Sequence, residues 1–135
     1  MSMRPRMLVI DDSETLLAEM SAMLRNGFDV TCTNSGAKAC RLLQQAAFDL
    51  IIVDIFMPEP DGFEILGCLR KKPDAPRVLA MSGASMASLL AVQSKALGAA
   101  AFLTKPFSPA QLHAAVDAVL GAPRKPASSS FTPST

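Results

Sequence analysis

Five short apolar runs alternate with amphipathic stretches along most of the chain. The runs cover residues 7–10, 30–33, 50–53, 78–81 and 100–103. Several are rich in Val, Ile or Leu, as strands buried on both faces of a parallel sheet tend to be. The pattern therefore predicts five short strands, most of them buried.

Apolar residues also recur at helical spacing between and after these runs, for example at positions 16, 17, 20, 23 and 24. Ser13 and Ser35 stand where helix N-caps are expected, and Pro109 suits a first helical turn. Gly27 and Gly98 stand where helices are expected to end. Strands that alternate with helices predict an α/β fold with a mostly parallel sheet covered on both faces.

Length and composition favour a single domain. The 135 residues suit one domain, which we predict to span residues 1–121. Residues 122–135 are rich in Pro and Ser and predict a disordered tail. The three cysteines form no C-x-x-C pair, which favours reduced thiols in a cytoplasmic protein over a zinc or redox site.

The charge balance excludes two classes of partner. The formal net charge is +1, and it becomes −1 when the two basic residues of the tail are left out. A body this close to neutral predicts no direct nucleic-acid binding and no polybasic membrane patch. The longest uncharged stretch is interrupted by Ser82 and Gly83, so we predict no membrane span.

Candidate functional side chains follow four of the five apolar runs. Asp11 and Asp12 follow the first run and Asp54 follows the third. Ser82 follows the fourth run, and Lys105 comes shortly after the fifth. In an open α/β sheet, functional groups gather at the carboxyl ends of the strands. We therefore expect three carboxylates, a hydroxyl and an ammonium to meet at one edge of the sheet.

This combination of groups suits phosphoryl transfer. Clustered carboxylates repel one another, and a hard divalent cation such as Mg²⁺ relieves the repulsion. Asp54 could act as a nucleophile and form an aspartyl phosphate, while Lys105 pairs with the phosphoryl oxygens and Ser82 donates to one. Aspartates after strands also serve as N-caps or turn formers. For Asp12 alone, such a structural role and the functional role are about equally good explanations. A structural role does not account for the whole set of carboxylates, hydroxyl and ammonium at the ends of four different strands.

Four motifs together resemble the receiver domains of two-component response regulators. They are V-I-D-D-S at residues 9–13, V-D-I-F-M-P-E-P-D-G at 53–62, M-S-G at 81–83 and F-L-T-K-P-F at 102–107. The resemblance covers residues 6–120 and is specific because the motifs occur in this order at these spacings. It implies a flavodoxin-like fold with five parallel strands in the order 2-1-3-4-5.

The resemblance also implies a role for each residue at the acidic edge. Asp54 would be the phosphoacceptor, and Lys105 would contact the phosphate. Asp12 would bind Mg²⁺ directly, with Asp11 helping through water. The backbone carbonyl of Phe56, not its side chain, would supply a further ligand.

Conformational switching is implied for a second group of residues. Ser82 and Phe102 resemble the pair that rearranges on phosphorylation, although many relatives have Thr and Tyr there. The Lys105–Pro106 bond is implied to be cis, and Pro58 and Gly62 match the turn after the acceptor.

The partners follow from the same resemblance. His113 is the only histidine and lacks the context of a kinase phosphoacceptor, so the donor is expected to be a sensor histidine kinase or a histidine phosphotransfer protein. A downstream protein would bind near Phe102 and the uncharged stretch between Ala84 and Val92, a face that could also form a homodimer. Apart from slow self-phosphorylation and dephosphorylation, no enzymatic activity is expected.

Three alternatives stay open at this point. The chain could be the receiver fragment of a longer transcriptional regulator, with its tail as the linker. It could be a phosphatase with an aspartate nucleophile, although such enzymes need a second Asp two residues after the first, where Phe56 stands. A nucleotide- or flavin-binding domain is the third, but no G-x-G-x-x-G or P-loop motif is present.

Overall fold

A computed structural model describes residues 4–56, 65–67, 69, 75–83, 91, 93, 95 and 98–121. Its strands are β1 (Arg6–Ile10), β2 (Asp29–Thr33), β3 (Leu50–Asp54), β4 (Arg77–Gly83) and β5 (Ala101–Lys105). Its helices are α1 (Glu14–Leu24), α2 (Gly36–Gln45) and α3 (Pro109–Gly121). Residues 65–67 and 69, and residues 91, 93 and 95, are also helical.

The five strands form one parallel sheet in the order β2-β1-β3-β4-β5. Both the α/β class and the strand order are therefore confirmed. After β1 the chain adds β2 on one side and then crosses to add β3 on the other. A sheet that reverses direction in this way opens a crevice at the carboxyl ends of the two central strands, here β1 and β3.

Three strands, β3, β4 and β5, extend further at their carboxyl ends than the apolar runs predict. Asp54 is still paired with Met81, and Lys105 is still paired with Gly83. An apolar run stops at the first polar side chain, but ladder hydrogen bonds use only the backbone, so the strand continues. Asp54, Ser82 and Lys105 consequently sit on the sheet itself and not in the loops that follow it.

Alternating strand residues divide the core into two layers, one on each face of the sheet. Ile10 and Ile51 face the layer that α2 covers through Leu43, together with the helical residues 65, 66 and 69. Neighbouring positions such as Ile52 face the opposite layer, which α1 and α3 cover. Burying an aliphatic side chain of this size stabilises the fold by about 1.5–3 kcal/mol. Two such layers hold the sheet rigid beneath its acidic edge.

The predicted N-caps are confirmed by their hydrogen bonds. Ser13 Oγ accepts from the Leu16 N–H at 3.2 Å, and Ser35 Oγ accepts from the Lys38 N–H at 3.2 Å. Replacing such a cap by alanine typically costs about 1 kcal/mol. Because Ser13 directly follows Asp11 and Asp12, the two acidic residues after β1, its cap fixes where the chain turns beside the site.

The C-terminal helix has a cap that the sequence analysis missed. Pro109 is its first residue, as predicted. Ser108 Oγ accepts from the Gln111 N–H at 3.1 Å, and Gln111 Oε1 accepts from the Ser108 N–H at 2.8 Å, a reciprocal capping box. No helix in the described part of the chain is both long and apolar enough to span a bilayer.

Candidate functional site

The acidic residues lie at the carboxyl edge of the two central strands. Asp11 follows β1 directly, and its N–H donates to the Thr33 carbonyl at 3.2 Å. Asp54 ends β3, and the next N–H, that of Ile55, donates to the Met81 carbonyl at 2.9 Å. Backbone hydrogen bonds to β2 and β4 therefore fix the chain at Asp11 and at Asp54, respectively. One oxygen from each of Asp11, Asp12 and Asp54 lies within 4.8 Å of the others.

The ammonium of Lys105 bridges two of these carboxylates. Its Nζ lies 2.6 Å from Asp11 Oδ2 and 2.8 Å from Asp54 Oδ2. The two carboxylates are almost fully buried, whereas the lysine side chain is 24% exposed. Buried charges are expensive unless they are paired and hydrogen-bonded, so this bridge compensates much of the cost of burying two like charges.

The surroundings of Lys105 change its pKa in two opposing directions. Burial alone lowers the pKa of Lys105 because it disfavours the charged form. Hydrogen bonds and Coulomb attraction from Asp11 and Asp54 outweigh burial, so the pKa lies above its ordinary value. Lys105 is therefore a permanent cation at neutral pH.

Backbone donors satisfy the other oxygens of the two buried carboxylates. The Ser13 N–H donates to Asp11 Oδ1 at 2.8 Å, and the Phe56 N–H donates to Asp54 Oδ1 at 2.9 Å. All four oxygens of Asp11 and Asp54 thus accept a hydrogen bond from the protein. The sequence analysis missed these two donors because any residue except proline supplies a backbone N–H.

Asp12 has a different environment. It is exposed, and within the described residues its side chain makes no hydrogen bond or ion pair. It is accordingly the one carboxylate of the three that is open to solvent and to an incoming ligand.

The predicted switch residues share one face of the sheet. Ser82 is buried on β4, immediately after Met81, the register partner of Asp54. Phe102 on β5 pairs in register with Ala80, which points to the same face as Ser82, and it packs half-buried against the α2-side layer. The hydroxyl and the aromatic ring therefore occupy neighbouring strands on the same side of the sheet.

Two further expectations concern the loops beside the site. The Lys105–Pro106 bond is cis, as predicted. The Phe56 side chain is 70% exposed. Pro58 and Gly62, and most of the stretch between Ala84 and Val92, lie outside the described residues.

The donor set fits a hard divalent cation. All three side chains offer carboxylate oxygens, which Mg²⁺ prefers, and the exposed Asp12 leaves room for waters or phosphate oxygens. Within the described residues the cluster contains no Cys or His, the ligands that select softer metals. The acidic edge therefore combines a carboxylate cluster that could hold a cation with a lysine that can contact an anion.

Comparisons with known proteins agree with this geometry. The family model described as "Response regulator receiver domain" matches residues 7–117. The transcriptional regulatory protein PrrA of Mycobacterium tuberculosis is 37% identical over 117 residues, which is 86% of this chain and 50% of PrrA. The regulatory protein PhoP of Bacillus subtilis is 33% identical over 119 residues, 87% of this chain and 49% of PhoP. The chain thus spans about half the length of the curated relatives it matches.

Solved structures give the same result for the fold. The chemotaxis protein CheY4 of Vibrio cholerae superimposes with a TM-score of 0.80 at 30% identity, covering 87% of this chain and 99% of CheY4. A response regulator receiver domain protein from Clostridium thermocellum gives 0.79 at 26% identity, covering 87% and 94%. With the motifs, the strand order and the acidic edge in agreement, the chain belongs to the response regulator receiver domain family.

Proposed function

We propose that this chain accepts a phosphoryl group on Asp54 and thereby switches the binding of another protein in two-component signalling. One observation supports this most: Lys105 links Asp54 to Asp11 beside the exposed Asp12. In this arrangement Asp54 would be the nucleophile, Lys105 would contact the phosphoryl oxygens, and the carboxylate cluster would hold a metal. Membership in the receiver family is independent support.

In the proposed reaction a carboxylate oxygen of Asp54 attacks the phosphorus of a phosphohistidine. The new O–P bond forms as the P–N bond breaks, and the imidazole nitrogen keeps the electron pair and takes up a proton. Lys105 then moves from a carboxylate partner to a phosphoryl oxygen, and Ser82 donates a second hydrogen bond. Charge-assisted hydrogen bonds of this kind are among the strongest in proteins.

Mg²⁺ is the metal we assign to the carboxylate cluster. Asp12 would be a direct ligand, Asp11 would help through water, and Asp54 and the Phe56 carbonyl would complete the protein's share. When bound, the metal would neutralise charge on the phosphoryl group.

The switch would use Ser82 and Phe102. Movement of the Ser82 hydroxyl toward the phosphoryl group would change the packing on the face it shares with Phe102. The half-buried ring can respond because it lies on an edge strand. Phosphorylation would then shift a pre-existing equilibrium between two surface arrangements, which a downstream protein reads near Phe102 and the stretch between Ala84 and Val92.

The donor would be a sensor histidine kinase or a histidine phosphotransfer protein, acting in the cytoplasm. Turnover would be limited to slow self-phosphorylation and dephosphorylation. A second candidate is that this chain is the receiver portion of a longer transcriptional regulator, because the regulators it matches are about twice its length. Dimerisation through the face near Phe102 is compatible with both the proposed function and this second candidate.

The test is the intact mass of the protein after incubation with acetyl phosphate, with and without Mg²⁺. We expect a Mg²⁺-dependent gain of one phosphoryl group in the native chain and none in Asp54→Ala. Asp117→Ala is the matched control, because Asp117 is an exposed aspartate on α3. Full labelling of Asp54→Ala, or loss of labelling in Asp117→Ala, would contradict the proposal.

A further inference from the structure

The last turn of α3 has no cation of its own. The last four carbonyl groups of any helix have no partner within the helix, and together they form the negative end of its dipole. In α3 no basic residue stands in the last turn, here residues 118–121. A cation that stabilises this end of the helix must therefore come from another element.

Arg77 supplies that cation from β4. Its Nη1 donates to the Leu120 carbonyl at 3.2 Å, across 43 residues of sequence. Arg77 is the first residue of β4, and its N–H donates to the Asp49 carbonyl at 3.2 Å. Since β4 lies inside the sheet between β3 and β5, the guanidinium is carried by a strand that is held on both sides.

The bond from Arg77 completes a row of contacts between β4 and α3. Leu79 and Met81 follow Arg77 at every second position of the strand, so they point to the same face of the sheet. Both are fully buried in the layer that contains Val116 and Val119 of α3. These apolar contacts anchor α3 as far as Val119, and Arg77 holds the carbonyl of the residue that follows.

The Nε of Arg77 makes this anchor easier to release. It is buried, and within the part of the chain that the structure describes it has no hydrogen-bond partner. A buried donor without a partner has lost its hydration and gained no bond in exchange. If the last turn opened, water would reach Nε and offset part of the lost bond to Leu120. The closed turn is therefore less stable than a fully hydrogen-bonded guanidinium would make it.

We propose that Arg77 is a latch that keeps the last turn of α3 closed, and that its release changes the direction and reach of the chain after residue 121. The inference is independent of the proposed function, because Arg77 lies at the amino end of β4 and the acidic edge lies at the carboxyl ends of the strands.

The latch would control length as well as direction. A residue that leaves the helix extends from about 1.5 Å to about 3.3 Å along the chain, so an open turn of four residues adds roughly 7 Å. The regulators that this chain matches are about twice its length. In a chain of that length, the latch would set how far from the sheet the segment after α3 can reach.

The end of α1 offers a matched control on the same face of the sheet. α1 also has no basic residue in its last turn, and Arg4 donates through Nη2 to the carbonyls of Arg25 and Phe28. Arg4→Met therefore removes the same kind of bond, between a guanidinium and a carbonyl group, from a different helix of the same core layer.

The test is hydrogen exchange of the backbone amides, followed by NMR in the whole chain. In Arg77→Met, which keeps a long side chain and removes its charge, the amides of residues 118–121 should exchange about fivefold or more faster than in the native chain. Arg4→Met should leave these four amides at their native rates, and so should Arg41→Met, which removes an exposed arginine from α2. Unchanged exchange in Arg77→Met, or equal acceleration in all three variants, would overturn the proposal.

A second measurement uses the native protein and stays decisive if Arg77→Met fails to fold. Because Nε is buried, its proton can exchange with water only when the guanidinium is released. The protection factor of the Arg77 Nε–H, assigned by its absence in Arg77→Lys, should therefore match that of the amides of residues 118–121. Amides that open while this Nε–H stays protected, or the reverse, would show that the turn and Arg77 move separately and would overturn the proposal.

Discussion

At the scale of single residues, the ion pairs of Lys105 offset the burial of two like charges. Removing one partner of a buried pair leaves the other charge uncompensated, which commonly costs about 3–5 kcal/mol. Here each partner has a backbone donor as well, so Asp11 and Asp54 would each keep one hydrogen bond if Lys105 moved. A movement of Lys105 would therefore leave neither carboxylate without a hydrogen-bond donor.

The buried hydroxyl of Ser82 provides a residue-scale prediction. Ser82→Ala should slow labelling by acetyl phosphate about tenfold, because one hydrogen bond to a charged oxygen is lost. Ser82→Thr keeps the hydroxyl and should restore the rate. Thr104 pairs in register with Ser82 but is exposed, so Thr104→Ala is the control and should label at close to the native rate. Equal rates for Ser82→Ala and the native chain would exclude the hydroxyl from the reaction.

The sequence was informative about side chains at the site and silent about backbone contacts. Asp11, Asp54 and Lys105 were predicted to meet because parallel strands place their carboxyl ends at one edge, and they do. The N–H donors of Ser13 and Phe56 could not be predicted, since every non-proline residue has one. The roles of these side chains in phosphoryl transfer and metal binding stay predictions.

At the scale of secondary-structure elements, strands and helices were predictable and their ends less so. The apolar runs located all five strands, but β3 and β5 continue through Asp54 and Lys105 because the ladder depends on the backbone. The caps Ser13 and Ser35 were predicted from residue type. Ser108 was missed, although the S-x-x-Q pattern that it forms with Gln111 was present in the sequence.

The connection into β5 provides an element-scale prediction. Gly98 has a φ of 105°, a conformation that residues with a side chain rarely adopt, so Gly98→Ala should lower the free energy of unfolding by about 1–2 kcal/mol. Gly27 also follows a helix, but its φ is not positive, and a Cβ there would meet no atom within 4 Å. Gly27→Ala should change stability by less than about 0.5 kcal/mol. Urea unfolding measures both, and equal effects would contradict this account of the turn.

At the scale of the whole molecule, the sheet separates two core layers and presents one acidic edge. Periodicity predicted that helices cover both faces, but it contains no information on which strands are neighbours. The order 2-1-3-4-5 came from the resemblance to receiver domains, and the sheet confirms it. That order makes β1 and β3 neighbours, which brings Asp11 and Asp54 together from positions far apart in the chain.

The separation of the two layers provides a whole-molecule prediction. Ile10 and Ile52 are fully buried on opposite faces of the sheet. Ile10→Val and Ile52→Val should each lower the free energy of unfolding by about 0.5–1.5 kcal/mol. Because they share no packing layer, the double variant should lose the sum of the two within about 0.5 kcal/mol. A coupling well above that, measured by urea unfolding, would mean that the layers do not respond independently.

The most direct test of the account identifies which carboxylate becomes phosphorylated. After labelling with acetyl phosphate and Mg²⁺, borohydride reduces an aspartyl phosphate to homoserine, and peptide mass spectrometry then finds the altered residue. We predict homoserine at Asp54 alone, since its side chain contacts Lys105 and lies beside the strand that carries Ser82. Homoserine at Asp11 or Asp12, with Asp54 unaltered, would contradict the assignment of the nucleophile and the mechanism built on it.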